Sequence, residues 1–170
     1  MASSQLPCVV VGVDRSVAGL RALRLAVVEA RRRGVMLCAV RAWDVNLAYG
    51  DYAGYRVRLA RREAEQTITD AFGDILGDLP TDVAVQRVTP LGVAGPLLVE
   101  YASRDEDVLF VGRDRHAWLS RLFRRSVSAY CVRHARCLVQ VVPPDAFGRE
   151  MSGWGISRTI RRDLADLANL

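Results

Sequence analysis

Five short apolar runs, four of them followed by a helical pattern, constrain the fold more than any other feature of this chain. They are CVVVGV (8–13), VMLCAVRA (35–42), VAVQRV (83–88), DVLFVG (107–112) and CLVQVV (137–142), the last closed by Pro143 and Pro144. Between the first two, Val17, Leu20, Leu23, Val27 and Ala30 recur at helical spacing, and Gly34 is a natural stop. Residues 56–76 read as a second helix ending near Gly77. A third opens between Gly92 and Pro96 and runs to about Ala102, and 126–135 form a fourth. Continuous apolar strands imply a parallel sheet covered on both faces. The strict β-α alternation makes this a doubly wound α/β domain. Such sheets bind ligands beyond the carboxyl ends of their strands. Asp14 and Gly112 each stand at such an end and are site candidates by position alone. Either Asp14 or Ser16 is suited to capping the first helix.

Charge adds a second constraint. The 24 basic residues are all arginine, and the net charge is +5. Without lysine there is no Schiff base and no Walker-type phosphate lysine. Arginine still holds phosphate or carboxylate through a bidentate fork. The excess is concentrated in residues 113–136, where seven arginines face one acid, Asp114, for a net of +6; the remaining 17 arginines face 18 acids. A patch of this kind attracts nucleic acid, a ribosome or an acidic protein face, or is simply a solvated stripe.

The four cysteines, Cys8, Cys38, Cys131 and Cys137, lack CxxC spacing and read as buried free thiols rather than metal ligands. The start MASSQLP lacks the pattern of a signal peptide, and no apolar run is long enough to span a membrane, so a cytoplasmic location is expected. The domain is expected to occupy residues 1–144. The extension 145–170 carries Ile160, Leu164, Leu167 and Ala168 on one stripe behind a capping Ser157. A helix over 157–170 is marginal alone and is expected to dock on the domain, a second subunit or a regulatory partner.

VVVGVDRS (9–16), ARRRG (30–34), LCAVRAW (37–43) and the block from DVLFVG to RSVSAYCVRHARCLVQVV (107–142) together resemble the universal stress protein family. The resemblance covers roughly residues 6–144. It implies a Rossmann-like five-stranded parallel sheet in the order 3-2-1-4-5 and a cytoplasmic homodimer paired through strand 137–142. It also implies a stress-response role without catalytic residues, and at most weak ATPase activity. Many members bind ATP or AMP through G-x-x-G, nine residues, then G-[ST], placed after the fourth strand. Glycines there let backbone N–H groups crowd onto phosphate at a helix N-terminus. Here Gly112 holds the first position, but Arg115 and Arg125 replace the other two glycines, with Ser126 and Val127 following. Asp14 matches the aspartate that meets the adenosine end, Ala42 the residue whose backbone reads adenine, and Gly92 the glycine that opens the third helix.

Two outcomes compete for the altered loop. The arginines fill the phosphate pocket and impair ATP binding, or they clamp phosphate in place of the lost backbone donors. Other residues carry plainer readings. Asp14 and Ser126 also suit helix caps, His116 an exposed loop, and His134 a helix C-terminus. Trp43, Tyr49, Tyr52 and Tyr55 suit a cover over the sheet edge above the second strand better than a base-stacking surface.

Overall fold

The computed structural model describes residues 6–44, 53–113 and 126–144. In chain order the elements are β1 (Cys8–Gly12), α1 (Val17–Arg33), β2 (Met36–Val40), α2 (Ala53–Leu76), β3 (Val85–Val88), α3 (Ala94–Tyr101), β4 (Val108–Gly112), α4 (Val127–His134) and β5 (Leu138–Val142). All four strand pairings are parallel and the sheet order is β3-β2-β1-β4-β5. The doubly wound topology and the 3-2-1-4-5 order therefore stand as expected.

Strand alternation divides the apolar residues into two cores. Val9 and Val11 of β1 point to one face, where Leu23 and Val27 of α1 and Ile68 and Phe72 of α2 close over them. Val10 points to the other face, under Leu98 of α3 and Cys131 of α4. Each fully buried Leu, Ile, Val or Phe contributes about 1.5–3 kcal/mol of transfer free energy. The expectation that every strand is covered on both faces holds only for β1, β2 and β4. The outer strands β3 and β5 are partly open, with Gln86, Arg87, Leu138 and Gln140 exposed.

The first helix starts as its sequence suggests. Ser16 is its N-cap and its hydroxyl accepts from the Gly19 N–H at 3.0 Å. Gly34 closes it with φ 66°, in the left-handed region that favours glycine. At the opposite end of the sheet, buried Asp107 accepts from the backbone N–H groups of Cys8 at 2.9 Å and Arg104 at 3.0 Å. That carboxylate ties the start of β1 to the turn that feeds β4.

All four cysteines are free and belong to the α3/α4 face, two within its core and two packed against it. Burial pushes the Cys8 thiol up to about 12, with Asp107 adding to the rise, and Cys38 and Cys131 to about 11. They are protonated packing groups. Among the described residues no group of His, Cys, Asp and Glu is arranged to hold a metal, and no helix is long and apolar enough to cross a membrane.

Candidate nucleotide cleft

Beyond the carboxyl ends of β1, β2 and β4 lies a cavity of about 100 Å³, walled by Val13, Asp14, Arg41, Ala42, Leu98 and Gly112 among others. Its position is the one the topology predicts, where the connections from β1 and β4 depart to opposite faces. Asp14, Ala42, Gly112 and Val127, expected from sequence, all line it.

Asp14 Oδ1 accepts from the Ser16 N–H at 2.8 Å, and the carboxylate lies against the Cα of Gly19. A side chain at position 19 would collide with Asp14, so glycine there holds the carboxylate at the mouth of the cleft. Asp14 thus braces the turn into α1, while the cap itself is Ser16. Ala42 presents its backbone to the cleft. Arg41 and Trp43 donate their N–H groups to Val88 and Pro90 on the β3 side, so alternation turns the intervening N–H and carbonyl towards β1.

Gly92 has φ 137°, and its N–H donates to the Trp43 carbonyl at 2.8 Å. It shapes the turn into α3 but does not line the cavity. Helix α3 then starts at Ala94, behind Val93 at the N-cap, which offers no side-chain hydrogen bond to the first N–H groups. Ser126 is buried and caps α4 through the Ala129 N–H at 3.4 Å, and it shares a hydrogen bond with Ser128. It too does not line the cavity.

Gly112 has a packing reason to be glycine. A Cβ there would stand 2.7 Å from the Gly19 nitrogen and 2.9 Å from the Ala18 carbonyl carbon. Both are backbone atoms of the first turn of α1. The end of β4 and the start of α1 therefore touch backbone to backbone.

Sequence reading missed Arg41. It stands in the cleft wall, and its guanidinium donates to the Val13 carbonyl on the neighbouring strand end at 3.3 Å. A lone arginine at the end of an apolar strand gave no signal of this role. Trp43 performs the covering role expected of it, since its indole donates to the Thr89 carbonyl at 2.7 Å. Tyr55 does not, being exposed on α2. Arg115, Arg125, His116, Tyr49, Tyr52 and the extension 145–170 lie outside the described residues.

The family profile described as the universal stress protein family matches residues 8–143. The chain belongs to the universal stress protein family. No curated protein matches it significantly. Among solved structures it is similar to the universal stress protein UspA from Lactobacillus plantarum, at 21% identity and TM-score 0.61, covering 82% of this chain and 99% of that one. A family protein from Burkholderia pseudomallei is 22% identical, with TM-score 0.56 and coverage of 84% and 99%. A universal stress protein in complex with cAMP is 24% identical, with TM-score 0.53 and coverage of 84% and 100%. These likenesses concern the fold. Universal stress proteins are in general stress-response proteins rather than enzymes of a conventional class.

Proposed function

We propose that this universal stress protein is a non-enzymatic, cytoplasmic stress-response regulator. It acts as a homodimer through partner contacts, with an impaired ATP site. One observation carries the impairment. The cleft measures about 100 Å³, whereas ligand pockets run to roughly 300–1,000 Å³. Replacement of two phosphate-loop glycines by Arg115 and Arg125 supports the same reading. The outer position of β5, which has no strand beside it among the described residues, and the 62% exposure of Leu138 support pairing between copies.

Calorimetry with ATP, AMP and cAMP on nucleotide-stripped protein tests the impairment. No heat at millimolar ligand is expected, and micromolar binding would overturn it. A second reading makes the protein a sensor of ATP or AMP, with Arg115 and Arg125 as phosphate clamps. Retention of Asp14, the inward backbone of Ala42 and the cAMP-bound relative favour it. Arg125→Gly separates the two, since a clamp loses affinity and a plug gains it.

A further inference from the structure

A concavity larger than the nucleotide cleft lies elsewhere on the molecule. It is a groove of about 760 Å³ beside the outer strand β3, lined by Arg61, Arg62, Glu65, Thr69, Arg87 and Tyr101 with several neighbours. Its charge is one-sided. Arg61 is paired with Glu65 at 3.0 Å, but neither Arg62 nor Arg87 is in an ion pair with any described residue. Arg87 reaches only the neutral Thr69 hydroxyl, at 3.5 Å. Both guanidinium groups are exposed, as is Arg58, one helical turn before Arg62 on α2.

The strand supplies a second observation. Leu37 and Arg41 donate to the carbonyls of Ala84 and Val88, so even-numbered residues of β3 turn their backbone groups to β2. Val85 and Arg87 then turn theirs outward, to the open edge. The next outward carbonyl, that of Thr89, is taken by the Trp43 indole. The open edge thus ends at a fixed point and is short.

We propose that this edge and groove bind an extended acidic peptide segment of a partner protein, which adds as a strand to β3 beside Arg62 and Arg87. Strand addition draws affinity from main-chain hydrogen bonds and specificity from side chains. Here the outward backbone of Val85 and Arg87, unpaired among the described residues, provides the first, and the two guanidinium groups, without an ion pair among those residues, provide the second. A peptide alternating acids with β-branched residues places every carboxylate on one face, towards the arginines. This inference is independent of whether the cleft holds nucleotide.

The test uses the full chain and a fluorescein-labelled Glu-Val hexapeptide repeat, read by anisotropy. Binding is expected, with backbone amide NMR shifts at Val85 and Arg87. Arg62→Glu with Arg87→Glu should weaken it at least about tenfold. N-methylation of alternate peptide amides keeps the charge and blocks strand pairing, so it should abolish binding. Four results would overturn the proposal. These are no binding at about 1 mM peptide, undiminished binding of the N-methylated peptide, equal binding of a short oligothymidylate, and a dimer that dissociates on Arg87→Glu, which would place a second copy on this edge.

Discussion

Replacing Gly112 by alanine separates two reasons for a glycine at the end of β4. If the residue is there for phosphate, alanine leaves the fold intact and removes ligand affinity. The packing described above says otherwise. The new methyl would meet the Gly19 nitrogen at 2.7 Å, the Ala18 carbonyl carbon at 2.9 Å and the Gly19 Cα at 3.0 Å. No side chain can rotate away, because all three atoms are helix backbone. Relief requires α1 to shift off β4, against the packing of Leu23 and Val27 below it. Overpacking of this kind costs about 1–3 kcal/mol, and a backbone contact belongs at the upper end, near 3. At roughly 2–4 °C per kcal/mol the melting temperature falls by about 6–12 °C. Gly73→Ala is the control. It lies inside α2 with nothing within 4 Å of an added Cβ, and should stabilise by up to about 1 kcal/mol. Calorimetric or circular-dichroism melts of both variants suffice. A Gly112→Ala protein melting within about 2 °C of the parent would refute the packing argument.

Arg41→Ala should widen the cleft and raise affinity for AMP in calorimetry; unchanged or weaker binding would show that the guanidinium does not narrow it. Asp107→Ala should cost about 2–3 kcal/mol in denaturant unfolding, because two buried N–H groups lose their acceptor. Glu29 is held down to about 2 by hydrogen bonds from Arg32 and Arg33. A carboxylate depressed in the folded state stabilises fully above its unfolded value, and that contribution fades as pH falls towards 2. The stability gap between the parent and Glu29→Gln should therefore close between about pH 4.5 and 2, and a gap constant over that window would contradict the pairing. Thiols raised to about 11 hold roughly 100-fold less thiolate than a free cysteine near neutrality, so Cys38 and Cys131 should resist iodoacetamide in the native protein. Leu138→Arg should shift the protein towards monomer in light scattering without lowering its melting temperature.

The fold was legible because each strand announces itself twice, by apolar residues and by the turn after it. CVVVGV followed by Asp-Arg-Ser leaves little choice of element, though the structure was needed to give the cap to Ser16 rather than Asp14. Edge exposure was less legible. VAVQRV and CLVQVV look nearly as apolar as the central strands, and only neighbours in space decide which face stays open. The cleft divides the same way. Asp14 and Gly112 were found because strand ends locate them, and Ala42 because the family resemblance points to it. The part played by Arg41 depends on a side chain reaching back to Val13, and no spacing rule encodes that contact. The purpose of Gly112 was half read, because its conflict is with Gly19, 93 positions away in the chain.

The two faces of the sheet differ in strength. Helices α1 and α2 have 17 and 24 residues, whereas α3 and α4 have eight each. Helices of eight residues are far too short to persist alone. They hold each other through Gly95, where a Cβ would stand 2.9 Å from the Tyr130 ring. Yet Ala94, Leu98 and Val127, on one side of the cleft, belong to this weaker pair. Amide exchange should find α3 and α4 opening together at a lower free energy than the rest. Anything that fills the cleft must then quiet that layer, and occupancy would be broadcast to the outer surface as stiffness rather than as a change of shape.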